Sequence, residues 1–148
     1  MKNKIFNTTF ENMLRVLLMM DVIGVQINID RLTALDFISI YGKKCKVLDK
    51  NLHGDNEFGF AEFANKRERI TEAVKLAVIN DYITVENTAA GFLYSIGERG
   101  KKIVEEIQTP YAKSYMVGAK IVNRKFKGIP DEALLKYINN MATETKGV

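Results

Sequence analysis

The segment LAVINDYITVENTAAGFLYSIGERG, residues 76–100, indicates the fold class most clearly. It opens with the apolar end of a helix and passes directly into the β-branched run YITVEN. The turn residues TAAG and the alternating run FLYSI follow, and together they predict two antiparallel strands joined as a hairpin. Helical spacing returns after Gly97. Because three helices are predicted upstream, the order is helix, helix, helix, hairpin, helix, which is typical of a winged helix-turn-helix.

The first upstream helix begins just before Phe10, because Thr8 and Glu11 have the spacing of a capping box. Glu11 and Arg15 stand at i and i+4, which predicts an ion pair on the helix surface. The apolar positions that recur at helical spacing are Phe10, Leu14, Leu17 and Leu18.

The second and third helices follow before the hairpin. The second begins near Asn28 or Asp30, either of which can cap it, and it ends at Gly42. The third runs from about residue 61 to residue 80, after a polar connector that spans residues 43–56. The predicted buried positions are Leu32, Leu35 and Ile38 in the second helix, and Phe63, Ile70, Val74 and Ala77 in the third.

The sequence after the hairpin agrees with this order. The run YSIGERG, residues 94–100, resembles the Y-x-L-T-x-x-G turn of many winged helices. Thr109 and Pro110 predict a cap and a first-turn proline for a helix that reaches about Phe126, and a last helix starts after Pro130. We therefore expect a mainly α protein with a small β-hairpin, an α+β winged helix-turn-helix with additional C-terminal helices.

The chain is long enough for one domain with a real core: it has 148 residues, 47% of them hydrophobic and 27% charged. We predict a winged-helix domain over residues 1–108. Residues 109–148 form a C-terminal helical extension packed on it, so that the whole is a single globular unit.

The composition also bears on location and partners. The single cysteine, Cys45, excludes an internal disulfide and suits a reducing compartment. The longest apolar run near the N-terminus, residues 16–20, is far too short to span a bilayer, and no signal-peptide cleavage site follows it. We expect a cytoplasmic protein. The mild net charge of +4 is compatible with a nucleic-acid partner or an acidic protein partner.

DNA binding is the obvious function of a winged helix, but fold alone does not establish it. A DNA-reading helix needs cations toward the phosphates, and the hairpin segment 86–91 contains neither Lys nor Arg. The sequence therefore disfavours sequence-specific DNA binding by this helix and hairpin and favours protein contact. The outward face of the third helix carries two acids against two bases: its residues are Asn65, Glu68, Arg69, Glu72 and Lys75.

The strongest charge asymmetry lies near the C-terminus, because no Asp or Glu occurs from residue 107 to residue 130. A helix over this segment places its cations on one face beside an apolar stripe. This face is either simply solvated or contacts DNA phosphates or an acidic partner, and it has no aromatic residue to stack on bases. Its cations are Lys113, Lys120, Arg124 and Lys127.

The connector contains the protein's single histidine, His53, which raises the question of a catalytic or metal-binding site there. A nucleophilic site would pair His53 with Cys45, but nothing in the sequence activates that thiol. One His and one Cys cannot supply the four such ligands of a structural zinc site. A magnesium site built from Asp55, Glu57 and Glu62 remains open, although acids near a helix start are usually caps. No phosphate-binding glycine motif is present, so we expect no enzymatic activity, no metal and no cofactor.

The connector is better interpreted as a structural loop or a partner contact. Its polar side chains can close turns and cap the following helix; they are Asn51, His53, Asp55 and Asn56. Lys66 and Arg67 fall where the apolar stripe of the third helix should pass, which indicates stems that lie along the edge of the core. The alternative is that they meet loop acids, Asp55 or Glu57, or acids of a partner.

Several motifs resemble the middle component of bacterial ABC-three-component conflict systems, the group that includes the small subunit of Lamassu-like anti-phage defence. They are FNTTFENMLRVLLMM (6–20), IDRLTALDFISIYG (29–42), NLHGDNEFGFAEFANKRERI (51–70) and GFLYSIGERG (91–100). The resemblance spans roughly residues 5–115, and the run LHGDN is its most distinctive element.

This resemblance implies a small, non-enzymatic winged-helix subunit that accompanies an ABC or SMC-like ATPase and a separate effector, often a nuclease. Its implied task is to bridge the two, to help control release of the effector, and to contact DNA non-specifically at most. It implies no membrane and no small-molecule substrate. The alternative, from the fold alone, is a stand-alone winged-helix DNA-binding transcriptional regulator.

Overall fold

The computed structural model of the protein describes residues 8–52 and 63–146. Within these ranges the chain is mainly helical, and its two strands form one antiparallel hairpin, which confirms the predicted α+β class. The elements are α1 (Thr9–Ile23), α2 (Ile29–Ile40), α3 (Phe63–Ile79), β1 (Ile83–Thr88), β2 (Gly91–Ile96), α4 (Glu98–Glu106), α5 (Pro110–Phe126) and α6 (Asp131–Lys146).

Helix α1 begins where its capping residues predict. The Thr8 hydroxyl accepts the backbone N–H of Glu11 at 3.1 Å and donates to the Glu11 carboxylate at 2.7 Å. Two details of the prediction are wrong. Phe10 is exposed, because the whole first turn, residues 8–10, faces solvent. Arg15 is buried and pairs with Asp36 of α2, so it does not form a surface pair with Glu11.

Helix α2 is the central helix of the protein. The Asn28 side chain caps it by accepting the backbone N–H of Arg31 at 2.8 Å. Residues 32–42 are all buried, since α1, α3, α5 and α6 surround the helix. The predicted stripe residues of α2 lie in the core, and those of α3 lie in or against it. This burial of apolar side chains on several sides is the main stabilising contribution to the fold.

The hairpin pairs β1 with β2 from Ile83↔Ile96 to Thr88↔Gly91. The connection is a two-residue loop, and Gly91 follows it at φ 104, a conformation that favours glycine. A short segment before α2 extends this sheet, because Ile27 and Tyr94 exchange both backbone hydrogen bonds, at 2.9 and 2.8 Å. The hairpin is therefore anchored to the α1–α2 connection as well as to α3.

The YSIGERG turn has a steric basis. At Gly100, a Cβ atom would lie 2.4 Å from the backbone carbonyl oxygen of Tyr82, so only glycine fits there. This close approach seats the first turn of α4 against the start of β1. The chain after α4 then crosses to α5, whose first turn is capped by Thr109 and contains Pro110, as predicted.

The C-terminal helices pack on the first two. Helix α5 lies against α1 and α2, and α6 lies against α2. Arg31 of α2 joins them, since its guanidinium donates to the carbonyl oxygens of Phe126 and Ile129 and to the Asp131 carboxylate. In residues 8–52 and 63–146, no helix has the length and apolar character needed to cross a membrane.

Candidate interaction surfaces

The loop after α2 is structural as far as it is described. Asn51 is buried, and its side-chain oxygen accepts the backbone N–H groups of Lys43 and Lys44 at 3.0 and 3.2 Å. Asn51 thus closes the turn that follows α2. The other predicted residues of this loop lie outside the described residues; they are His53, Asp55, Asn56, Glu57 and Glu62.

Cys45 lies in the core and makes a poor nucleophile. Burial raises the pKa of its thiol to about 12, so the thiol stays protonated at neutral pH. Among the residues that the structure describes, no group of three or more His, Cys, Asp or Glu side chains could hold a metal ion.

Lys66 and Arg67 both contact acids of α2. The Lys66 ammonium lies 3.1 Å from the Asp36 carboxylate inside the protein, and the Arg67 guanidinium lies 2.5 Å from the Asp30 carboxylate at the surface. The contacts proposed with Asp55 and Glu57 lie outside the described residues. The partners of Lys66 and Arg67 seen here are therefore acids 30 or more positions earlier in the chain.

A buried ionic cluster joins four helices: Arg15 of α1, Asp36 of α2, Lys66 of α3 and Tyr115 of α5. The Asp36 carboxylate accepts from Arg15 at 2.9 Å and from the Tyr115 hydroxyl at 2.5 Å. Burial opposes the ionisation of Asp36, but the charges of Arg15 and Lys66 and these hydrogen bonds outweigh it. They hold the pKa of the carboxyl well below its usual range.

The same surroundings also shift the pKa values of Lys66 and Tyr115 in this buried ionic cluster. Burial lowers the pKa of Lys66, although Asp36 counteracts this effect, and burial followed by the charge of Asp36 raises the pKa of Tyr115. This buried ionic cluster was not predicted from the sequence. Its signal was present, because Arg15 and Asp36 each stand as a lone charge within an apolar run, MLRVLLMM and LTALDFISI.

An apolar groove of about 340 Å³ lies between the second half of α3 and the hairpin. Its most exposed apolar members are Ile79, 80% exposed, and Phe92, 56% exposed. Val78, Val85 and Tyr94 continue the apolar lining, and Lys75 is the single cation among the lining residues. We name this surface the α3–hairpin groove. Exposed apolar side chains that adjoin one another in this way are typical of a contact surface.

The outward face of α3 has the balanced charge that the sequence predicts. Lys75 and Glu72 face each other at 3.9 Å, with both side chains well exposed. Asn65 and Glu68 are exposed, and Arg69 is half-buried. This face therefore presents no excess of cations to a phosphate backbone.

The basic face of α5 is also where the sequence places it. Lys113, Lys120, Arg124 and Lys127 are all exposed, and none of them forms an ion pair with another described residue. The apolar stripe beside these cations packs inward: Tyr115, Ala119 and Val122 are buried and Tyr111 is half-buried. Val117 and Ile121 were not predicted from the sequence as part of this surface, and both are exposed beside the cations.

These features define a small helical protein that carries two exposed surfaces suited to contact, one apolar and one basic. The chain belongs to the ABC-three component (ABC-3C) system Middle Component 2 family, whose model matches residues 5–147. The predicted resemblance to a middle component of ABC-three-component systems is thus confirmed, and the match extends beyond residue 115. As a component of a multi-subunit system, the chain has protein partners. No curated protein and no solved structure shows significant similarity to it.

Proposed function

We propose that this middle component is a non-enzymatic adaptor of an anti-phage defence complex of Lamassu-like type. It bridges an ABC or SMC-like ATPase to an effector subunit of nuclease type and helps to control release of the effector. ATP hydrolysis and nucleic-acid cleavage belong to those partners. In this proposal the fold is a winged helix in which the α3–hairpin groove serves protein contact.

The arrangement of the first five elements supports the winged-helix assignment. Three helices precede the hairpin, and the α1–α2 connection adds a bridge to β2 at Ile27 and Tyr94. This gives the sheet a short third strand segment beside the hairpin. The close fit of Gly100 against Tyr82 then directs the chain out of the sheet into α4.

The observation that carries the proposal is the apolar character of the α3–hairpin groove. In a DNA-binding winged helix this region approaches phosphates and bases, which requires cations and hydrogen-bond donors. Here Ile79 and Phe92 project into solvent, and the single lining cation, Lys75, faces Glu72. Burial of such side chains against another protein is favourable, whereas DNA offers them little apolar surface.

The experiment is co-purification of the tagged chain expressed with its neighbouring genes. We expect an ATPase subunit and an effector subunit to be recovered with the wild type. Ile79→Ser combined with Phe92→Ser should reduce recovery of a partner about tenfold or more, as truncation of central apolar contacts does. Val25→Ser combined with Phe10→Ser is the matched control, because both residues are exposed but do not line the groove.

Two results would contradict the proposal. Failure of the wild-type chain to recover an ATPase subunit would exclude the adaptor role. Sequence-specific, salt-dependent binding of the isolated chain to an operator would instead support the transcriptional regulator. His53→Ala tests the non-enzymatic assignment separately: lost anti-phage protection with intact assembly would favour a catalytic role for the loop.

A further inference from the structure

Helix α5 presents two parallel stripes to solvent. On a helix with 3.6 residues per turn, Lys113, Lys120 and Arg124 fall within about 40° of arc, and Val117 and Ile121 fall within the next about 60°. All five side chains are exposed, and Val117 is 61% exposed. The cations extend about 16 Å along the helix axis, or three turns. We name this surface the α5 seam.

The apolar stripe continues into a shallow groove of about 190 Å³ between α5 and the loop after α2. Leu48 and Leu52 of that loop line it together with Val117 and Ile121. The groove is narrow because α5 approaches the loop closely at Gly118, where a Cβ atom would lie 3.1 Å from a methyl group of Leu48. One acid and one further cation, Asp49 and Lys50, stand at its rim.

We propose that the α5 seam binds an acidic amphipathic helix of another subunit. The proposal deepens the adaptor function and rests on it, since it identifies a second docking surface and the chemistry of its partner. The partner helix places its apolar residues against Val117 and Ile121. Its Asp and Glu residues lie over Lys113, Lys120 and Arg124, for about three turns.

The positive charge of the α5 seam favours an acidic partner. Within the described residues, none of the three cations has a carboxylate within ion-pair distance, and the segment from 107 to 130 contains no acid that could neutralise them. A basic surface of this kind attracts acidic partners and raises the rate of their association.

The apolar stripe of the α5 seam favours a protein partner over DNA. A phosphate backbone would satisfy the cations but would leave Val117 and Ile121 against charged oxygens or water. A protein interface places apolar side chains at its centre and charged groups at its rim. The α5 seam has this arrangement on one helix, so a helix that is both acidic and apolar fits it better than a nucleic acid.

The first test reverses charge in the complete complex. Lys120→Glu combined with Arg124→Glu should reduce recovery of one partner subunit about tenfold or more, and the loss should grow with lower salt. Lys101→Glu combined with Lys102→Glu is the matched control, since both residues are exposed on α4. Circular dichroism checks that both double variants remain folded. Undiminished recovery with the α5 variant overturns the proposal.

The second test removes the apolar stripe and retains every cation. Val117→Ser combined with Ile121→Ser should also lower recovery of the same subunit about tenfold. If this variant assembles normally while the charge variant loses binding to a fluorescent DNA duplex, the seam is a phosphate contact and the proposal fails.

The third test identifies the occupant. A photo-crosslinking amino acid replaces Ser114, which is exposed beside Val117, and the assembled complex is irradiated. Mass spectrometry should locate the crosslink in an acidic helical segment of another subunit. A crosslink to DNA, to a second copy of this chain or to its own residues 53–62 overturns the proposal, as does the absence of any crosslink.

These outcomes separate the two proposals. If the wild-type chain recovers no ATPase subunit, the adaptor function fails and the α5 seam loses its basis. If the wild type recovers its partners and the charge and apolar variants of α5 recover them equally well, the adaptor function stands and only the inference about α5 fails.

Discussion

Lys66 and Arg67 are neighbours in α3, and each forms an ion pair with an acid of α2, but the two pairs have opposite environments. Lys66 meets Asp36 at 3.1 Å in the core, where Arg15 and Tyr115 also contact the same carboxylate. Arg67 meets Asp30 at 2.5 Å at the surface, with the two side chains 59% and 52% exposed. The shorter pair is therefore the more hydrated one.

The difference shows that distance alone does not indicate the contribution of an ion pair. Water screens an exposed pair and solvates its separated members almost as well, so such a pair contributes about 0–1 kcal/mol. In the core, the charged groups have lost their hydration. Only their attraction to one another and their hydrogen bonds offset this loss. The buried ionic cluster joins α1, α2, α3 and α5, whereas the exposed pair joins only α2 and α3. The following substitutions test this contrast.

Asp36→Asn should have the largest effect. The substitution keeps the size of the side chain but leaves the Arg15 and Lys66 cations buried without an anion, which costs about 3–5 kcal/mol when one partner is removed. Urea denaturation followed by circular dichroism measures the free energy of unfolding. A loss below about 1 kcal/mol would show that water or another acid compensates the cations, and the contrast would fail.

The pH dependence of stability gives a second large effect. The pKa of Asp36 is lowered in the folded protein, so its stabilising contribution is fully present above the unfolded value, about 3.9, and is lost as the pH falls toward the folded value. The free energy of unfolding of the wild type should therefore fall more steeply below about pH 4 than that of Asp36→Asn. Parallel curves for the two proteins would contradict the lowered pKa.

Tyr115→Phe should have an intermediate effect. The hydroxyl donates to Asp36 in the core, and its loss removes one hydrogen bond from a buried carboxylate that retains Arg15 and Lys66. We expect the free energy of unfolding to fall by about 1.5–3 kcal/mol, the usual result for a hydrogen bond to a charged group. Tyr111→Phe is the comparison variant on the same helix, because Tyr111 is half-buried and its side chain interacts with Arg15 at the edge of the cluster. If Tyr111→Phe lowered the free energy of unfolding more than Tyr115→Phe does, the hydrogen bond from Tyr115 to Asp36 would not be the more important of the two contacts.

Asp30→Asn should have the smallest effect. It breaks the exposed pair with Arg67, so the free energy of unfolding should change by about 0–1 kcal/mol. High salt should abolish any difference from the wild type, because exposed charges are screened. A loss that approaches that of Asp36→Asn would remove the distinction between the two pairs.

Most of the secondary structure is predictable from the amino acids alone, because the signals for helices, strands and turns are local. Thr8, Asn28 and Thr109 cap helices by accepting a backbone N–H three residues later, and that spacing is visible in the chain. The hairpin and its turn follow from β-branched residues and Gly91 in the same way. The basic α5 face was predictable too, since a helix with known phase fixes which cations share a side.

Which charges are buried and which apolar side chains are exposed depends on how the helices pack together. Arg15 was expected to pair with Glu11 one turn away, but it pairs with Asp36, 21 positions away. Periodicity placed Ile79 and Phe92 within their elements, but their exposure depends on what other helices cover. Helical periodicity fixes the direction of a side chain relative to its own axis. The environment that the side chain meets there depends on how the helices pack, and that packing joins residues far apart in the sequence.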